Sequence, residues 1–179
     1  TLCVSCHSLK YIRFRNLLEI DFTQAEVDGI RAEKTLNQAF SSLMDEASLK
    51  ASYGKSPPDL SMFVKARHQG GQYVYSFLTG YYTTPEKTID NKVFSGVRMP
   101  DVLGYAEAAE QEKKQIEQTA VNITAFLTWA ADPYAAKRRT IGYWVILYCI
   151  ILTGLFYILK YRAWKKLEST QVTVPEKNG

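Results

Sequence analysis

The chain begins TLCVSCHSLK, and three of those residues could do chemistry together: Cys3, Cys6 and His7. They spell C-x-x-C-H, the spacing of a covalent c-type heme attachment. Two thiols three positions apart can each add to one vinyl group of the same porphyrin, and the adjoining imidazole falls under the iron as its proximal ligand. A bare C-x-x-C would also suit a thioredoxin-like dithiol or a zinc ribbon. A zinc site needs four ligands, and the remaining sulfur or imidazole candidates of that kind are Cys149, inside an apolar run, and His68. A thioredoxin motif should follow a strand in a βαβ pattern, which this sequence does not show. The motif therefore predicts one covalently bound heme c, held by Cys3, Cys6 and His7.

An iron bound only by His7 would keep an open face for gas or oxygen chemistry, whereas a second protein ligand suits electron transfer. The candidates are Met44, Met62, Met99 and His68. Met44 falls on an expected helix, where packing explains it. Met62 follows PPDLS, and Met99 lies in an irregular loop as VRMPD, with Pro100 stiffening the backbone beside it. A loop can carry a thioether over the porphyrin, and thioether ligation raises the potential. Spacing alone favours Met99 and leaves the others open; His68 would make a chemically sound bis-imidazole pair.

The elements that must position these groups can be read from pattern. TQAE at 23–26 fits a capping box opening a helix expected to reach about Lys50, with Leu36, Phe40, Leu43 and Ala47 on its core face. Pro57 and Pro58 stop it. Shorter helices are expected over 62–67 and 73–79, and an irregular loop over 80–105. Ala106 to Ala131 carries Ile116, Ala120, Ile123, Leu127 and Ala130 at helical spacing and ends at Asp132-Pro133. The fold class this implies is mainly α, with long loops.

From Ile141 to Leu159 the chain runs IGYWVILYCIILTGLFYIL, nineteen residues without a formal charge. As a helix this covers about 28 Å, close to the apolar thickness of a bilayer. Tyr143, Trp144 and Tyr148 mark one end and Tyr157, Tyr161 and Trp164 the other, with basic residues beyond both. Residues 1–136 hold 14 Lys+Arg against 16 Asp+Glu, a net of −2, and residues 137–179 hold 8 against 2, a net of +6. That split favours a membrane and argues against a nucleic-acid partner. The expected organisation is an extracytoplasmic heme domain (1–136), a transmembrane anchor with basic flanks (137–167) and a short tail (168–179). Covalent heme of this kind is normally attached outside the cytoplasm, which puts the tail inside. The start carries no Met, charged n-region or cleavage site, so an export signal is expected to have been removed or omitted.

Several stretches together resemble the cytochrome c1 family, the heme subunits of the cytochrome bc1 complex (quinol–cytochrome c oxidoreductase). They are CVSCHSLKY, PPDLS at 57–61, ARHQGGQYVYSFLTGY at 66–81, FSGVRMP at 94–100, FLTWAADP at 126–133 and the single C-terminal anchor. The resemblance implies a cytochrome c-like heme domain with Met99 as sixth ligand. It also implies that Arg67 and Tyr73 lie near the heme propionates and that Pro58 walls the pocket. The implied function is electron transfer from a Rieske iron–sulfur protein to a soluble or membrane-bound cytochrome c, beside cytochrome b. The expected location is a bacterial inner membrane with the heme domain periplasmic, or else a mitochondrial inner membrane facing the intermembrane space. A free-standing membrane-anchored shuttle, an oxidase-associated cytochrome and a heme-based gas sensor are the alternatives. The family carries a helix ahead of the heme motif, where only Thr1 and Leu2 stand here, so the domain is expected to lack it. An asparagine that the family has shortly before PPDLS is unmatched in ASYGKS.

Overall fold

The computed structural model describes residues 2–171; the last part of the expected tail, 172–179, lies outside the described residues. Contacts divide the chain into two compact units, the first ending at Pro133 and the second starting at Tyr134. The first contains strand β1 (Leu9–Arg13), helix α1 (Gln24–Arg31), strand β2 (Ala39–Phe40), helix α2 (Glu46–Tyr53), helix α3 (Gly71–Leu78), strands β3 (Tyr81–Thr83) and β4 (Ile89–Asn91), and helix α4 (Glu110–Ala131). Single turns of 3-10 helix sit at Cys3–Ser5, and a longer one at Phe14–Ile20. The second unit is one helix, α5 (Ala135–Gln171). The chain is mainly α, as its pattern implies.

The capping box at the start of α1 forms as read: Glu26 N–H donates to Thr23 Oγ1, and Thr23 N–H donates to the Glu26 carboxylate at 2.8 Å. The helix does not reach Lys50, however. It stops at Arg31, where Ala32 turns to φ +52 and the Arg31 side chain is held by Asp28 and the Lys34 carbonyl. The chain then brings Ala39–Phe40 antiparallel to β1. Pairing there buries Phe40 against Phe14, with ring centroids 4.2 Å apart. A continued helix would have to expose that ring. Leu43 and Ala47, expected on a core face, are exposed, and Leu49 is the buried residue of α2.

Two further expectations are corrected. Residues 62–67 form successive turns instead of a helix, with Ala66 N–H shared between the Met62 and Phe63 carbonyls. The stretch 80–105 is not wholly irregular, because Tyr81–Thr83 and Ile89–Asn91 pair as a hairpin. Thr84 and Thr88 lock its turn through backbone and hydroxyl bonds. Buried Asn91 fastens the hairpin to α3 by donating to the Phe77 carbonyl at 2.8 Å.

The core gathers Leu9, Ile12, Phe14, Leu17, Val27, Phe40, Val64, Val74, Leu78, Ala120, Leu127, Ala130 and Ala131. Ala120, Leu127 and Ala130 are the anticipated inward stripe of α4. Helices α3 and α4 meet closely at Gly71, where a Cβ would lie 3.0 Å from Thr124 Cγ2 and 3.2 Å from Thr128 Oγ1. Gly71→Val is therefore expected to destabilise the domain by about 1–3 kcal/mol through overpacking, read as a lowered thermal midpoint.

The apolar stretch of helix α5 is not buried within the chain. It is long and apolar enough to cross a membrane. The helix runs well past both ends of the uncharged stretch 141–159.

Candidate heme site

The first turn of the chain places the three chemical residues on one backbone loop. His7 N–H donates to the Cys3 carbonyl at 2.8 Å and Cys6 N–H to the same carbonyl at 3.3 Å. Both cysteines are free thiols, half-buried. Among the described residues no group of three or more His, Cys, Asp or Glu side chains is arranged to hold a metal ion by itself.

The imidazole is fixed from behind. His7 Nδ1 lies 2.8 Å from the Pro58 carbonyl oxygen. A carbonyl only accepts, so Nδ1 carries the proton and Nε2 keeps the lone pair that a metal needs. The donor set thus fits heme: two free thiols, and an imidazole oriented and tautomerically set.

Pro58 is positioned in turn by Asp59. One Asp59 oxygen accepts from Ser8 Oγ at 2.8 Å and Lys10 N–H at 2.9 Å; the other accepts from Ser61 N–H at 2.9 Å. Leu60 N–H to the Ser8 carbonyl and Tyr11 N–H to Ser61 Oγ complete a zipper between PPDLS and the residues after the heme motif. Burial alone would raise the Asp59 carboxyl, but the bonds from Lys10, Ser61 and Ser8 outweigh it and hold it below its usual range. Its folded pKa being lowered, its contribution to stability is complete above the unfolded value, near 4, and is lost as pH falls through the folded one. Asp59→Asn turns one acceptor oxygen into a donor facing other donors. It is expected to cost about 1–3 kcal/mol at neutral pH. The gap from wild type should narrow below about pH 4 in denaturation curves.

Further along the chain, the exposed Arg67 guanidinium carbon sits 4.6 Å from the Phe63 ring centroid and 5.2 Å from that of Tyr73. Rings then succeed one another: Phe63 to Tyr73 at 6.1 Å, Tyr73 to Phe77 at 6.1 Å and Phe77 to Tyr81 at 5.7 Å. The row ends where the Tyr81 hydroxyl donates to the Met99 carbonyl at 3.1 Å. Burial, and then the nearby Asp101 charge, push the Tyr81 hydroxyl far above its usual range, so it stays a donor. Beyond Met99, an Asp101 oxygen accepts from Ala106 N–H at 2.8 Å.

Met99 is half-buried and packs against the core, as do Val4 and Leu60 from the His7 side. The other candidate ligands differ in their surroundings. Met62 is 44% exposed and His68 is exposed. Met44 lies on a bend and not on a helix, its N–H donating to the Ser5 carbonyl.

Against this geometry, the sequence matches the Cytochrome C1 family over residues 1–43 and 35–167. The chain belongs to the cytochrome c1 family. It is 29% identical to potato (Solanum tuberosum) "Cytochrome c1-2, heme protein, mitochondrial" over 97% of its own length and 78% of the relative's. It is 27% identical to Rhodospirillum rubrum cytochrome c1, covering 93% of this chain and 78% of that one. A Bradyrhizobium diazoefficiens "Cytochrome b/c1" is 28% identical over 91% of this chain but only 31% of its own length. As a cytochrome c1-family protein the chain carries covalently bound heme c and serves respiratory electron transport in a bc1 complex.

Two contributors to this cytochrome c1-family site escape motif reading. Asp59 was visible as an Asp two residues before Ser61, an Asx-turn signal, but its long-range partners were not. Tyr81 acts through a carbonyl eighteen positions away, and no local spacing announces that.

Proposed function

We propose that this chain passes electrons from a Rieske iron–sulfur protein to a soluble or membrane-bound cytochrome c, beside cytochrome b in a quinol–cytochrome c oxidoreductase. Helix α5 tethers it to the membrane, with the heme domain on the periplasmic side of a bacterial inner membrane or the equivalent side of a mitochondrial one. The observation that carries this reading is the C-x-x-C-H turn with its imidazole set by Pro58, in a chain of the cytochrome c1 family.

Cys3 and Cys6 are the thioether anchors. His7 and Met99 would be the two protein ligands of the iron. Bound heme supplies the one-electron couple, and the protein sets its potential and access. Arg67 and Tyr73 would hold the propionates, the guanidinium by charge-assisted bonds and the phenol by a neutral one. Packing of Arg67 over Phe63 and Tyr73 removes rotamer freedom that it would otherwise lose on gripping a carboxylate. Pro58 contributes both the His7-orienting carbonyl and a rigid wall. No side chain of the site does acid–base or nucleophilic work.

The test is solubilisation in mild detergent followed by subunit identification and a pyridine hemochrome spectrum. A b-type cytochrome and a Rieske protein should accompany the chain. Isolation of the chain with neither, from membranes where both are present, would leave a free-standing shuttle as the better reading.

A further inference from the structure

Three tethers hold the Met99 loop. Two stay within the stretch 81–106: Tyr81 on the Met99 carbonyl and Asp101 on the Ala106 N–H. The third reaches across the domain. Arg98, immediately before Met99, donates from Nη1 to the Tyr53 carbonyl at 3.2 Å, over 45 positions of sequence. Tyr53 is the last residue of α2, where helix carbonyls lack intrahelical partners and carry partial negative charge. A cation is well placed there.

Gly54 makes the approach possible. It closes α2 at φ +71, its N–H donating to the Lys50 carbonyl at 2.8 Å. A Cβ at this position would collide with the Arg98 guanidinium. Glycine suits the left-handed backbone, and its missing Cβ leaves the space that the Arg98 guanidinium occupies. Four positions later the chain reaches Pro58, whose carbonyl holds His7.

We infer that Arg98 is a positioning residue for the iron: by tying the Met99 loop to the segment that carries Pro58, it fixes the separation of the two axial ligands. The inference rests on the proposed ligation by His7 and Met99. Since Arg98 is exposed, a purely solvating role would leave the iron indifferent to its replacement. A tether makes the methionine easier to displace when it is cut.

The experiment uses the full chain, loaded with heme in its solubilised complex, in the variants Arg98→Gln, Arg98→Lys, Gly54→Ala and Met99→Leu. The readouts are imidazole affinity of the oxidised iron and amide hydrogen exchange over residues 97–104. Arg98→Gln is expected to raise imidazole affinity about threefold to tenfold, the size of one charge-assisted bond at a partly exposed site. Faster exchange in the loop should accompany it. Lysine keeps the charge without the fork and should recover part of the loss. Gly54→Ala should match Arg98→Gln, and the double variant should add little to either, because both cut the same tether. Additive effects would mean that Gly54 acts through α2 alone and would overturn the shared tether. If Met99→Leu opens the iron while Arg98→Gln changes neither readout, the inference is wrong and the ligand assignment stands. If Met99→Leu itself leaves imidazole affinity unchanged, the ligand assignment falls, and this inference with it.

Discussion

Met99→Leu is expected to give a folded, heme-loaded protein whose reduced form binds carbon monoxide promptly, where wild type resists it. Leucine keeps the volume and apolar character that Met99 contributes against the core, so packing should cost less than about 1.5 kcal/mol. What it lacks is the thioether. A methionine opposite histidine raises the potential, and axial ligands between them cover a range of roughly 0.8 V. A fall on the order of 0.1 V or more is therefore expected in a redox titration. The red absorption band that oxidised iron shows with sulfur opposite imidazole should disappear as well. The backbone tethers do not depend on the side chain, so Tyr81 and Arg98 should hold the loop in place around the leucine. An unchanged potential and no carbon monoxide binding would move the sixth ligand to Met44, Met62 or His68.

The second large effect lies in the anchor. Ile150 and Ile151 are at the middle of the uncharged run and are exposed on α5. Replacing both with lysine is expected to move the chain from the membrane pellet to the alkaline-carbonate supernatant. Each lysine at the centre of a spanning helix costs about 2.5–3.5 kcal/mol on insertion scales, so the pair costs roughly 5–7. The same double change at Lys160 and Arg162, already basic, is no change of sign, and Lys160→Arg with Arg162→Lys should leave the protein in the pellet. Retention of the Ile150→Lys, Ile151→Lys chain after carbonate would show that something other than α5 holds it there.

What could be read from the letters follows a physical divide. Features set by a few adjacent residues were legible: the Cys3, Cys6 and His7 turn, the Thr23–Glu26 box, the apolar stripe of α4 and the uncharged run of α5. Each is a local pattern with a local cause. Features set by distant partners were not. The expected helix to Lys50 lost to a strand pairing that buries Phe40 on Phe14, a gain visible only once β1 is in place. The hairpin at 81–91 hid behind Gly, Pro and Thr, residues that read equally well as loop; the bond from Asn91 to the Phe77 carbonyl anchors it. Within the site, the chemical groups announced themselves and their supports did not. Asp59, Tyr81 and Arg98 all act through main-chain groups of other segments, and a carbonyl has no residue type to betray it.

Helix α5 continues unbroken beyond its greasy stretch on both flanks, from Ala135 to Gln171. At 1.5 Å per residue, its 37 residues make a rod of about 55 Å, against a hydrocarbon layer of about 30 Å. Lys160, Arg162, Lys165 and Lys166 ride on that rod at fixed angles around its axis, so their charges cannot drift independently of the spanning part. With α5 as the proposed anchor, a thicker or thinner lipid layer would be met by leaning the whole rod, Tyr and Trp sliding through the boundary zone together.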